Sequence, residues 1–414
     1  MTDAGDRRLS WVSRMEQVEW AKLDYAYGKA TGVSELIRTI AFGDDAVACK
    51  ACTTLREEFV HQASIYSSTY EAIPFLIEAL AVTGSGSGAR RGVLRLLDDI
   101  VDSCVHWMEM EDKADRAPAD GEDPYSPFIG RAWLGSELFA RLLNDDTDAV
   151  VRTYAAHTLG MLLTRGSDLA PEGSSGRYAS TVATLIARLQ SEADELVLSI
   201  FALGRASAHD SSLIEHPRTA SAKSQVGERI RVAAALAVFL IESGKYANLQ
   251  EIDLLIDTMC RAADTDGLVL IPSRTGTTGG NPWITGRFAF SLCDCLCNWS
   301  AGDQGRMERV LPALLAGIRL TSRYVASIDL GSVFRWLWPD QAAEFSQSIF
   351  GESECVGPPI TPKDLTGIAR RVLQACYDNP SIWEPNIANT VTAVRSVGLP
   401  ERRAGLKVLL DEAP

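Results

Sequence analysis

Between Leu138 and Leu163 the chain reads LFARLLNDDTDAVVRTYAAHTLGMLL, two apolar-periodic runs split by a polar turn. The first run predicts a helix ending at Leu142-Leu143. Asn144, Asp145 and Asp146 supply the turn, because short polar side chains accept hydrogen bonds from the orphan N–H groups at a helix start. In the second run Val151, Ala155 and Leu159 fall at i, i+4 and i+8, with Arg152 beside the first. That spacing is one face of a helix. The Ala155-Ala156 pair leaves room for a neighbouring helix to approach closely. Such a hairpin cannot bury its apolar face alone, so it requires stacked copies.

Weaker copies of the pattern surround this one. Asp44-Asp45 precedes Val47, Ala51 and Leu55, and Glu228-Arg229-Ile230-Arg231 precedes Ala234, Ala235 and Val238. Leu185 to Gly204 carries Leu196, Ile200 and Leu203 at helical spacing and ends in Ala-Leu-Gly, as Thr158-Leu159-Gly160 does. These are hairpins of the HEAT type. They predict an all-α protein, a HEAT-like α-solenoid built as a right-handed superhelix of antiparallel helix pairs with long inter-repeat loops. One such domain is expected over 1–414. Within it, 18–80 holds an N-terminal segment and the first repeat, and 131–263 the central hairpins. Aromatic- and cysteine-rich helices follow over 287–340, and a C-terminal helical cap over 362–414. At 414 residues the chain exceeds what one compact core accommodates, and stacking solves this by extending the core layer by layer.

Composition narrows the setting. Apolar residues are 46% and charged residues 23% of the chain, ordinary for a folded soluble protein. No apolar run reaches the ~18 residues needed to span a bilayer. The start, MTDAGDRRLSWVSRMEQ, lacks the apolar core of a secretory signal. A cytoplasmic protein without membrane contact is expected. The net charge of −14 disfavours nucleic acid, since a duplex-binding groove must neutralise phosphates. The basic pairs Arg7-Arg8, Arg90-Arg91, Arg370-Arg371 and Arg402-Arg403 are scattered and lack interleaved aromatics, as on solvated helix faces.

Nine cysteines raise the question of a metal. Cys293, Cys295 and Cys297 lie in a helical-looking segment, where only the first and last share a face. No second cluster follows, as a zinc site would need. Cys49 and Cys52 have a C-x-x-C gap but sit inside a repeat helix. Buried structural thiols, and no metal site, are the expectation. Phosphate-binding glycine loops, H-E-x-x-H and G-x-S-x-G are absent from the sequence. An enzyme on this chain would work without a cofactor.

The loops are longer than a solenoid needs. Gly84 to Gly88 reads as a flexible hinge, Met110 to Gly130 is acidic and proline-rich, and Thr164 to Arg177 is rich in glycine and serine. Ile271 to Gly286 is a Gly/Thr loop containing Trp283, and Phe350 to Pro362 is also irregular. Loops of this length are uncommon unless functional or disordered. The first of the tryptophans Trp283 and Trp299, with its loop, is expected to fold over an inner pocket whose apolar wall both shape.

Polar residues beside the core stripes supply candidate chemistry. Val150, Tyr154, His157 and Met161 form one stripe, and Ala46, Lys50, Thr53, Glu57 and His61 its counterpart in the first repeat. Second helices of HEAT hairpins line the concave side, so both stripes are expected to face one interior. Glu57 and His61 are four apart, within side-chain reach on a helix. A carboxylate orients an imidazole and raises its basicity, as a general base requires. The catalytic candidates are therefore Glu57, His61, His157, Tyr154 and Tyr66, and the substrate-binding candidates Lys50, Met161, Trp283 and Trp299.

The segment Trp20 to Leu80 resembles the opening of a group of actinobacterial HEAT-like repeat proteins. The likeness is carried by Trp20-Ala21, Leu23, Tyr25, Tyr27-Gly28, His61-Gln62, Tyr66, Thr69 and Ile73-Pro74-Phe75-Leu76-Ile77. Arg370-Arg371-Val372-Leu373, Ser381-Ile382-Trp383 and Gly398-Leu399-Pro400 resemble the group's ending. After His61-Gln62 this chain departs, with Ala63 and Ser67-Ser68 where the group tends to carry glycine and an acidic residue. Some similar proteins are cofactor-free cyclases of natural-product biosynthesis. The resemblance thus implies ring closure on a polyketide-derived small molecule by dehydration and Michael-type addition. The competing expectation is a non-enzymatic interaction scaffold, an inhibitor or toxin-neutralising protein whose acidic surface meets a protein partner.

Overall fold

The computed structural model describes residues 3–60, 64–113, 124–164, 175–188, 215, 231–232, 234–235, 238–239, 249–264, 288–320, 330–340, 358–383 and 393–412. Over these the protein is all-α, with helices packed against one another. The strands among the described residues form one two-residue hairpin, Asp24–Tyr25 with Gly28–Lys29. The chain divides into two compact units, Met1–Ala237 and Val238–Pro414.

The first unit contains α1 (Asp3–Glu16), α2 (Val33–Phe42), α3 (Asp45–Phe59), α4 (Ser67–Val82), α5 (Gly88–Lys113), α6 (Ser126–Trp133), α7 (Ser136–Asp145), α8 (Ala149–Thr164) and α9 (Ser175–Arg188). Helix α3 starts where the sequence places it: Asp44 caps it by accepting from the Val47 N–H at 3.0 Å. Tight links join α2 to α3 and α7 to α8, so each pair folds back as a hairpin.

Helices α3, α5 and α8 lie side by side and run parallel, as their register shows. The Asp45 carboxylate at the start of α3 accepts from the Gly88 and Ala89 N–H groups at the start of α5, at 3.0 and 2.8 Å. Further along, Arg56 of α3 pairs with Asp99 of α5. On the other side Arg90 of α5 donates to Asp146 at 2.6 Å, and Asp98 meets His157 of α8. The approach of α3 to α5 is close because α5 presents glycine there. A Cβ on Gly92 would lie 2.8 Å from both Cβ and Sγ of Cys52. The Gly84–Gly88 segment forms a hydrogen-bonded turn rather than the expected hinge. Ser87 Oγ donates to Gly84 O at 2.7 Å and accepts from the Arg90 N–H at 3.1 Å, and Gly86 takes φ +72.

The central core stripe is where periodicity puts it: Val151, Ala155 and Leu159 are fully buried. In the first stripe Ala51 and Leu55 are buried as expected, and only its first position is wrong. Val47 is 51% exposed, and Ala48, Ala51, Cys52, Leu55 and Phe59 form the buried face. Ala234, Ala235 and Val238 are buried in the third copy. Glu228-Arg229-Ile230 and Leu196, Ile200 and Leu203 lie outside the described residues.

The second unit contains α10 (Leu249–Asp264), α11 (Phe288–Ser300), α12 (Gln304–Leu320), α13 (Leu330–Leu337), α14 (Gly367–Asp378) and α15 (Arg403–Glu412). Here α10, α12 and α14 also run in parallel register. Arg309 of α12 is bidentate to Asp253 of α10, at 2.6 and 2.7 Å. Arg371 of α14 faces Glu308, and Asn379 after α14 donates to Ile318 O near the end of α12. Antiparallel α15 closes the face of α14, with Arg403 donating to Tyr377 O at 2.7 Å.

Cys293, Cys295 and Cys297 lie within α11, and all three are buried, as a small apolar side chain in a core is expected to be. Burial pushes the Cys52 and Cys376 thiols up to about 12, so neither is a thiolate near neutral pH. Among the described residues no helix is long and apolar enough to cross a membrane.

Candidate functional site

The polar centre of the first unit is a seam running across α3, α5 and α8. At its middle Asp98 is fully buried. Its Oδ1 lies 2.6 Å from His157 Nδ1 and 2.9 Å from Thr158 Oγ1. The tautomer that protonates Nδ1 makes the imidazole the donor in this contact. The Thr158 hydroxyl is also 2.9 Å from Tyr154 O, and its single proton serves one of these acceptors at a time. Asp98 Oδ2 is buried without a hydrogen-bond partner in the protein.

Asp99 continues the seam toward α3. Its carboxylate accepts from Arg56 Nε, and Arg95, one turn earlier on α5, approaches to 4.0 Å. Burial pushes the Asp99 carboxyl up to about 6, against the pull of the Arg56 guanidinium, and the Asp98 charge pushes the same way as burial. Tyr154, beside this group, has its phenol raised well above the ordinary tyrosine range, mainly by burial. It is therefore a protonated donor rather than a phenolate.

Why these residues meet follows from the helix positions. On α5 the run Arg95-Leu96-Leu97-Asp98-Asp99-Ile100 interrupts an apolar face with two adjacent acids, which project toward different neighbours. Asp98 turns to α8 and Asp99 to α3. Helix α8 has no solvent face at this level: every residue from Thr153 to Leu163 is buried. A helix apolar nearly all round is an interior helix.

The residues expected to share one interior separate into three groups. Tyr154, His157 and Met161 are 5%, 1% and 1% exposed, so their stripe is packed within the fold and is not joined by the Glu57 stripe in one interior as expected. Their stripe packs because α8 is enclosed. Glu57 and Lys50 are exposed on the opposite side of α3 from its buried stripe, so they do not join His157 in a common site. It is the neighbouring Arg56 that reaches inward. His61 and Trp283 lie outside the described residues.

Tyr66 is half-buried and caps α4. Its backbone N–H donates to Thr69 Oγ1 at 3.3 Å. Trp299 is half-buried against Phe239, ring centroids 6.4 Å apart, with the Arg306 guanidinium 4.9 Å over its ring. These contacts are packing contacts. Arg56, Arg95, Asp98 and Asp99 stand outside the residues that periodicity singles out. The signal that marks them is a charged pair inside an apolar helical run, where charge persists only if partnered.

Chemically, the seam holds a carboxylate–imidazole pair, a protonated phenol and a second carboxyl between two guanidinium groups. Such a set can move a proton if a reactant reaches it. Among the described residues no group of three or more histidine, cysteine, aspartate or glutamate side chains is placed to hold a metal. Comparison with protein-family models, curated proteins and solved structures finds no match for the chain.

Proposed function

We propose that the chain is a non-enzymatic helical-repeat scaffold, each unit a right-handed HEAT-like stack that presents helix faces to a protein partner in the cytoplasm. The observation that carries this reading is the burial of the acid–base candidates. His157 and Asp98 are 1% and 0% exposed and are engaged in joining α5 to α8, while Glu57 stands in solvent on another face. Parallel registers of α3, α5 and α8, and of α10, α12 and α14, support the repeat reading, since stacked hairpins bring their second helices into one parallel layer, with α6 as an extra helix before the α7–α8 hairpin. The resemblance to actinobacterial HEAT-like proteins agrees with it. The test is recovery of the tagged full chain from its native extract at physiological ionic strength, with quantitative mass spectrometry. One protein recovered in stoichiometric amount, and retained on re-purification with the isolated pair, supports the scaffold. A retained small molecule that the chain converts would overturn it.

A second reading, the cofactor-free cyclase acting on a polyketide-type substrate, is favoured by one observation. The Asp98–His157 contact, with the protonated Tyr154 beside it, has the composition of a general base with an oriented imidazole and a phenol donor. It requires a path to His157 from solvent. Under this reading His157→Gln lowers turnover of the linear precursor about 10²–10⁴-fold. Under the scaffold reading there is no turnover to lower.

A further inference from the structure

The groove between α12 and α14 carries a charge opposite to that of the chain as a whole. It has a volume of about 580 Å³, with Arg319 on one wall and Arg370 and Arg371 on the other. Asp378 is the one carboxylate among its lining residues, in a chain of net charge −14. The three arginines are held differently. Arg370 donates to Leu410 O at 3.3 Å and belongs to the packing of α15. Arg371 lies 3.7 Å from Glu308, with both side chains more than half exposed, so water competes strongly for that pair. Arg319 is exposed, and no ion pair of it is found among the described residues.

The remaining lining makes the site asymmetric. Half-buried Leu315 and Ala375 give the groove an apolar floor. Asp378 accepts from Gln374 Nε2 at 2.9 Å, which offsets part of its negative charge. Asn379 donates to Ile318 O at 2.7 Å and ties the end of α14 to α12. The groove is thus set by helix packing, and its size is that of a pocket for a few side chains.

We propose that this groove binds a carboxylate-bearing segment of a protein partner, with glutamate or aspartate side chains on Arg319 and Arg371 and one aliphatic side chain over Leu315 and Ala375. The proposal rests on the scaffold reading and names its partner's chemistry. Arginine forks hold carboxylates bidentately, and the chain's net charge of −14 disfavours acidic segments that do not engage both guanidinium groups.

The test titrates the full chain against a labelled, end-blocked pentapeptide with a central leucine flanked by two glutamates on each side, read by fluorescence anisotropy. Saturable binding with Kd below about 1 mM is expected. It weakens about tenfold in Arg319→Gln and again in Arg371→Gln. It is unchanged in Arg309→Gln, whose guanidinium is held by Asp253 on the α10 side. No saturation, equal binding of the all-glutamine peptide, or full binding by the double variant would overturn the proposal. Displacement by equimolar inorganic phosphate overturns it in favour of a simple anion site. A protein partner recovered equally by the wild-type and doubly substituted chains removes the groove and leaves the scaffold. Peptide binding as expected, with no partner recovered from extract, removes the scaffold reading and keeps the groove's carboxylate chemistry.

Discussion

Replacing Asp98 by alanine tests whether the seam joins α5 to α8. The substitution deletes the acceptor of His157 Nδ1 and one of the two acceptors within reach of Thr158 Oγ1. Thr158 falls back on Tyr154 O at 2.9 Å, so its hydroxyl stays satisfied. The loss falls on the buried imidazole, where removing the acceptor of a buried donor costs about 1–3 kcal/mol. The vacated carboxyl space adds roughly 1 kcal/mol of lost packing. Against this stands relief of a desolvated carboxylate whose Oδ2 has no partner in the protein. The balance is a loss of about 1–3 kcal/mol. Urea unfolding at pH 7, followed by far-UV circular dichroism, measures it. A double-mutant cycle with His157→Leu isolates the contact, with coupling of about 1 kcal/mol or more expected. A change below ~0.5 kcal/mol, or additive single effects, would refute the reasoning, because surface positions behave that way.

Other consequences follow from the same packing. Gly92→Ala should destabilise by about 1–3 kcal/mol, since the added Cβ meets the Cys52 side chain at 2.8 Å, and a neutral result in urea unfolding would show that α3 and α5 separate readily. Leu159→Ala should cost about 2–5 kcal/mol in the same assay, as expected of a fully buried leucine. Asp99 has a carboxyl raised to about 6 in the folded chain, against 3.8 for the free group, so the folded state holds its proton more tightly. Its contribution to stability is therefore present below about pH 4 and is lost as pH rises toward 6, by an amount on the order of 3 kcal/mol. Asp99→Asn should remove that pH-dependent component. Identical pH profiles of the two chains between pH 4 and 6 would contradict the assignment.

How much of this was legible in the sequence depended on what each residue type reports. Apolar periodicity located α7 and α8 and the buried face of Val151, Ala155 and Leu159 because one side of a helix must leave water, but α7 runs on through Asn144 and Asp145, so the turn falls at Asp146 to Asp148 and not where the polar run begins. The same logic misplaced Val47, which is exposed while its neighbour Ala48 takes the first buried position, because i, i+4 spacing alone does not say which of two adjacent apolar residues at a helix start turns inward. Periodicity could not tell that α8 is enclosed, since that depends on which elements cover its second face. Tyr154 and His157 therefore read as lining a concave interior shared with Glu57, although they are packed between helices. Asp98 and Asp99 were visible as charges in an apolar run, yet their partners lie 59 residues away for His157 and 43 for Arg56. Local sequence carries no information about pairings of that range. The groove over α12 and α14 was equally hidden, because Arg319 and Arg371 converge only through helix stacking.

Carbethoxylation of His157 by diethylpyrocarbonate, mapped by peptide mass spectrometry, tests most directly whether the seam is sealed and structural. With the imidazole 1% exposed and Nδ1 engaged by Asp98, the native chain should leave His157 unmodified under conditions that fully modify free N-acetylhistidine. In urea the same residue should react fully. Modification of His157 in the native chain at the rate of the free reference would show an open path from solvent to the dyad. That result would contradict the scaffold account and favour catalysis at this site.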